Sequence, residues 1–297
     1  MQKRLDPKLD VVFKILFSAP EHRDLLCSLL TAVLAPASPI DSVKVLNPEL
    51  PEELVTNEGA VLPLHVELAD GRLVDLEMQA QPWPSARRRV LSYWARMHGA
   101  QPWPSILHDD LKACVAILIL GYSELSSDRF HSTFEALEVH GGGRLSDRMQ
   151  VHFVELPKLP ACSGRQGKEA LLEDWGRFFS ARSDEELEAL AMSNPVMARA
   201  KGALDFLSAQ PDVQELARQR ELAQLNYISA IHEAETRGKA EGKVEGKSEA
   251  LLLTLDARGW SVSEEQRKRI VRCQDVAELD RWLRRAVSSS CVDEVLG

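Results

Sequence analysis

The chain is 297 residues long, 44% hydrophobic and 27% charged, with a formal net charge of −9. That composition is ordinary for a globular protein with a substantial core, and the length suits more than one domain. No apolar run reaches the about 20 residues of a membrane span, no apolar leader opens the chain, and the acidic balance leaves any nucleic-acid binding to a local basic patch.

A cytoplasmic location is the expectation. The cysteines Cys27, Cys114, Cys162, Cys273 and Cys291 are scattered, with no Cys-x-x-Cys pair. They read as reduced thiols without a zinc site.

Leu9, Val12, Phe13, Leu16 and Phe17 recur at helical spacing and predict a first helix over about residues 7–17. Asp10 and Lys14 lie one turn apart beside that stripe. The plain reading is a solvated i,i+4 pair; the functional one aims the Asp10 carboxylate at a site. A second helix is expected over residues 20–34. Residues 35–59 are proline-rich and acidic, with a short edge strand expected over 40–46.

Residues 61–81 read as a β-hairpin. Leu62, Leu64, Val66 and Leu68 alternate with Pro63, His65 and Glu67, and Val74, Leu76 and Met78 alternate with Asp75, Glu77 and Gln79. Asp70-Gly71 between them signals a type I′ turn, which needs positive φ. Side chains two apart share a face of a strand. One face of the hairpin therefore builds core, and the other is expected to be an acidic surface dense in metal-ligand types.

A helix is expected over residues 85–99, with Val90, Leu91, Trp94 and Met97 on its apolar side. It carries Arg87, Arg88, Arg89 and Arg96. An exposed charged face and a phosphate-binding surface are equally good readings of that run. The segment Gln-Pro-Trp-Pro-Ser occurs at both ends of this helix, at 81–85 and 101–105. Two rigid loops are its plain reading.

Residues 113–120 are uninterruptedly apolar, as in a central strand covered on both faces. Further strands are expected over 130–139 and 149–156, separated by Gly141-Gly142-Gly143. These elements make an α/β or α+β core over residues 1–160.

From Lys168 onward the chain reads as helical, with an extension over 161–237. Gly-Lys-x-Glu then repeats three times, from Gly238 to Glu249. In a helix this stacks like charges one turn apart, and each interior glycine costs about 1 kcal/mol relative to alanine. The segment 238–249 is either a hinge or a helix whose glycine stripe meets a partner; the cost favours the hinge. A small helical module is expected over 250–297, with a Ser263–Gln266 capping box.

The segment from Asp6 to Phe17, with Asp10-Val-Val-Phe-Lys14 at its centre, resembles the opening helix of the Rpn-type recombination-promoting nucleases, also classed as transposases, of the PD-(D/E)xK superfamily. Asp75-Leu-Glu-Met-Gln79 and the arginines after it resemble that family's catalytic strand and following helix. Val151 to Lys158 resembles its last core strand, and the repeat and helical tail its variable C-terminal part.

The resemblance implies a restriction-endonuclease-like mixed sheet flanked by helices. It implies a DNA endonuclease using Mg²⁺ or Mn²⁺, with Asp10 and Glu77 at the metal and Gln79 where the superfamily has lysine. It makes DNA the expected partner, engaged by Arg87, Arg88 and Arg89. The helical half and its glycine stripe, read by themselves, add a homo-oligomer as a further expectation. The sequence departs from the pattern at Pro63, where the turn count places the family's catalytic aspartate. That leaves a protein that binds without cutting, or one with a migrated ligand from Glu67, His65 or Asp75.

Overall fold

The computed structural model describes residues 4–58, 60–82, 86–101, 111–161 and 167–297. The expected helix start at Ser85, most of both Gln-Pro-Trp-Pro-Ser segments and Cys162 lie outside the described residues. The chain divides into two compact units, residues 1–224 and 225–297.

The first unit opens with helices α1 (Asp10–Ser18) and α2 (Arg23–Leu34), strand β1 (Val43–Val45) and the short helix α3 (Glu52–Thr56). The hairpin follows as β2 (Leu64–Leu68) and β3 (Leu73–Gln79). Helix α4 (Ala86–Gly99) leads to strands β4 (Cys114–Leu120), β5 (His131–Glu135) and β6 (Met149–Glu155). The six strands form one mixed sheet in the order β1-β2-β3-β4-β6-β5. The pairs β3–β4 and β4–β6 are parallel, and the others antiparallel. This is the α/β core that the alternating and continuous apolar runs predict.

The hairpin forms with a different turn. Gly71 has φ of 87°, and Asp70 is not among the residues with positive φ. Type I′ needs positive φ at both central positions. Here Leu68 N–H donates to the Arg72 carbonyl at 2.9 Å and Gly71 N–H to the Leu68 carbonyl at 2.9 Å. That is a three-residue loop whose last residue is left-handed glycine.

Strand alternation divides the sheet's two faces. Leu64, Val66, Val74, Leu76, Val115 and Ile117 are buried in the main core. Helices α5 (Lys168–Ser180), α6 (Asp184–Ser193) and α7 (Pro195–Ser208) contribute to that same core. At its centre Phe13 and Phe17 of α1 meet Trp175 and Phe179 of α5, with ring centroids 5.6–6.3 Å apart. The helical extension beyond residue 160 thus covers one face of the sheet. The opposite face carries Ala116, Leu118, Leu120, Val151 and Phe153, and Ala86 and Val90 of α4 cover it.

Helix α8 runs without a break over Pro211–Ala257. The repeat expected to be a hinge is therefore helical. Its turns need no separate nucleation, because α8 is anchored by Val213 and Ala217 before the repeat and by Val244, Leu251 and Leu255 within and after it. Propagation then adds one hydrogen bond per residue fixed, which offsets the local cost.

The second unit adds α9 (Glu264–Arg272), α10 (Val276–Ser288) and α11 (Val292–Leu296). Leu251, Leu255, Ile270, Leu279, Trp282 and Val295 form its own core. The Ser263–Gln266 capping box is present at the start of α9. Among the described residues, no helix is long and apolar enough to cross a membrane.

Candidate active site on the hairpin

Asp75, Glu77 and Gln79 share one face of β3, as period two requires. That face is not a surface. The three residues are 2%, 2% and 7% exposed. The reason is tertiary: β4 flanks them, with Glu77 beside Leu118 and Gln79 beside Leu120, and α4 lies over the sheet.

The hairpin register sets Leu64 opposite Leu76 and His65 opposite Asp75. One step further along the pairing, Pro63 falls across from Glu77. The His65 Nδ1 atom is 3.0 Å from Asp75 Oδ1. Glu67 lies at the turn end of the hairpin and pairs with Lys112.

Glu77 is held from two sides. Gln79 Nε2 donates to its Oε2 at 2.7 Å, and Gln79 Oε1 accepts from the Tyr122 hydroxyl at 2.9 Å. Arg89 of α4 approaches the same Oε2 at 3.9 Å. The other oxygen, Oε1, is buried with no hydrogen-bond partner. Burial, then the neighbouring Asp75 and more distantly Asp10, pushes the Glu77 carboxyl up to about 7, against the opposing pull of Arg89 and Gln79. A carboxyl with such a value can exchange a proton near neutral pH.

Asp10 is buried and bound elsewhere. Its Oδ1 accepts from Arg220 Nε at 3.0 Å and from Gln224 Nε2 at 3.0 Å, and its Oδ2 from Arg220 Nη2 at 2.7 Å. Arg220 is 0% exposed and also donates to the Asn57 and Ala60 carbonyls. Lys14 is not the solvated partner of Asp10. It is 3% exposed, and its ammonium donates to the Pro63 carbonyl at 3.2 Å. Asn47 Nδ2 donates to the same carbonyl at 3.0 Å. Burial holds the Lys14 ammonium below its ordinary value, with Glu49 pulling the other way.

The three arginines fan apart, as consecutive helical residues must. Arg87 pairs with Glu124 at 2.8 Å, Arg88 is exposed, and Arg89 turns inward to Glu77. A cavity of about 1180 Å³ opens beside the hairpin, lined among others by Lys14, His65, Tyr93, Arg96 and Lys112. Among the described residues, none of its lining is an aspartate or glutamate.

A family model described as PD-(D/E)XK nuclease family transposase matches residues 7–234. The chain belongs to this family. No curated protein and no solved structure matches it. The matched region takes in α1, the hairpin, the whole sheet and the Arg220 segment of α8.

PD-(D/E)XK nucleases are generally dependent on divalent metal, which sets a test for the residues present. Mg²⁺ prefers six oxygens in near-octahedral array, with one or two carboxylates fixing it beside substrate phosphates. Glu77 Oε1 is available, and Asp75 lies two residues away on the same face. Asp10 is neutralised by Arg220, and Pro63 has no side-chain donor. Among the described residues, no group of three or more His, Cys, Asp or Glu converges as a metal centre would require. The donor set does not fit the full metal centre.

Arg220, Gln224 and Lys14 are the residues that sequence reasoning leaves out or misplaces. Lys14 lies in the very motif that carries the resemblance. Nothing local marks Arg220, because its partner is 210 residues away.

Proposed function

We propose that this family member is a nuclease-fold DNA-binding protein in which metal-dependent phosphodiester hydrolysis has been lost. The observation that carries the reading is Pro63, one step beyond the Leu64–Leu76 pair and so across from Glu77, where the resemblance sets a second carboxylate. Basic side chains around the hairpin support binding of a polyanion. Lys14, Arg96 and Lys112 line a cavity with no carboxylate among the described residues, and Arg88 stands exposed on α4. A phosphate backbone would engage these groups and give affinity that falls with salt. The setting is cytoplasmic, in recombination or mobile-element biology.

The test has two arms. Gel shifts across a salt series, with Arg88→Ala and Arg96→Ala, read binding; weakening by both salt and substitution is the expected result. Plasmid nicking with Mg²⁺ or Mn²⁺ reads hydrolysis. Equal background in wild type and Glu77→Ala supports the reading. Salt-independent binding sinks the DNA half.

One observation favours a second reading, a Mg²⁺- or Mn²⁺-dependent DNA endonuclease. Glu77 Oε1 is a buried acceptor without a partner beside Asp75, a place suited to a cation. Nicking that disappears in Glu77→Ala would establish it and overturn the first.

A further inference from the structure

The Gly-Lys-x-Glu repeat plays no part in the site on the hairpin, yet its placement in the second unit is specific. Successive residues of an α-helix turn by about 100°, so the four positions of each repeat face four directions. Val244 and Ser248, at the x position, are 9% and 5% exposed and face the unit's own core. Ser248 donates to the Ile270 carbonyl at 3.3 Å. Gly238, Gly242 and Gly246 therefore lie on the opposite, outward side. A Cβ built on any of the three meets nothing within 4 Å.

Lysines flank this outward face on one side and glutamates on the other. Within the repeat no lysine has a glutamate three or four residues away, the spacing at which helical ion pairs form. Lys243, Glu241, Glu245 and Glu249 make no ion pair among the described residues. Lys239 reaches back to Glu235 at 3.9 Å, and Lys247 pairs with Asp280. Each column instead sets like charges one turn apart, which destabilises an isolated helix. Glycines alone say only that another backbone could come close. The signs of the flanking charges say which one.

We propose that this face is the seam for a second copy of the chain, with the two repeat helices parallel and in register. A two-fold axis parallel to the helices carries the lysine flank of one onto the glutamate flank of the other, on both sides of the glycines. A two-fold axis across the helices would set lysine on lysine and glutamate on glutamate. The sequence is thus self-complementary in one orientation only, as an isologous interface requires. The i,i+4 rows interlock at the crossing angle usual for such ridges, and the missing Cβ atoms permit the close approach.

The test uses the full-length protein and its molar mass by light scattering over a concentration series. Wild type is expected to dimerise. Lys239→Glu with Lys243→Glu, or Glu241→Lys with Glu245→Lys, is expected to raise the dissociation constant by on the order of tenfold or more. Mixing the two charge variants restores a dimer. Gly242→Leu gives an independent readout. It improves helix propensity where nothing in the monomer obstructs it, so thermal stability of the monomeric unit rises while dimerisation is lost. Orientation is read by oxidation. Gly238→Cys and Gly246→Cys each cross-link to themselves if the helices are parallel and in register, whereas an antiparallel pair crossing at Gly242 brings Gly238 to Gly246 instead. A wild-type monomer at every concentration overturns the proposal. So does a dimer indifferent to the charge variants, or a cross-link that forms only between Gly238→Cys and Gly246→Cys.

Discussion

Arg220 donates to both carboxylate oxygens of Asp10, at 2.7–3.1 Å, and joins the first turn of α1 to a helix that begins two hundred residues later. Both side chains are buried. The pair neutralises the acid that the family resemblance sets at the metal, and it fastens α8 to the sheet's supporting helix. Removing one partner of a buried ion pair strands the other's charge. Arg220→Ala should therefore destabilise the first unit by about 3–5 kcal/mol. Urea unfolding measures it. Adding Asp10→Asn to that variant should recover part of the loss, because the stranded charge is then gone.

Pro63→Asp should add an oxygen donor facing Glu77. The two hydrogen bonds that hold residue 63 go to its backbone carbonyl, so the substitution leaves them in place. Mn²⁺ affinity by calorimetry should rise by on the order of tenfold or more, as ligand charge count increases. Plasmid nicking should appear above the wild-type background. Unchanged affinity would locate the defect at Asp10 instead.

Glu77 gives stability a pH dependence of stated sign. Its carboxyl is raised from 4.5 to about 7 in the folded protein, so the fold binds its proton more tightly than the unfolded chain does. The contribution is fully present below the unfolded value and is lost as pH rises through the folded one. Between pH 4.5 and about 7 the loss amounts to about 3 kcal/mol. Glu77→Gln should leave stability near pH 4 unchanged and raise it by up to that amount at pH 8. Denaturant midpoints at the two pH values decide the matter.

His152 acts in the opposite sense. It is buried on β6, with Nδ1 3.0 Å from His131 Nε2, and burial lowers its value from 6.5 to about 3, assisted by His131 and Arg72. A base depressed in the folded state stabilises the fold above its unfolded value. That stability is lost as pH falls from about 6.5 toward about 3. His152→Gln should flatten this acid limb by a few kcal/mol, about 1.4 per pH unit removed. Melting curves from pH 7 to pH 4 would show it.

The sheet was readable in the sequence because its strands carry their own pattern. Alternation gives β2 and β3, an unbroken apolar run gives β4, and the hairpin's loop fixes the count that brings Pro63 to Glu77. The burial of Asp75 and Glu77 was not readable, since it depends on α4 folding back over β3. Nor was the Asp10–Arg220 pair, because no local period links residues that far apart. The repeat misled for a related reason. Its glycines and stacked charges describe an isolated segment, whereas the segment is the middle of a helix anchored at both ends.

Lys14 and Asn47 grip residue 63 by its carbonyl oxygen, which every amino acid possesses. Neither hydrogen bond depends on the side chain at position 63, where the family resemblance sets a metal ligand. A lineage could exchange aspartate for proline there, or the reverse, without crossing an unstable intermediate. Under the reading proposed above, hydrolysis and the scaffold that hosts it would be under separate selection at this position.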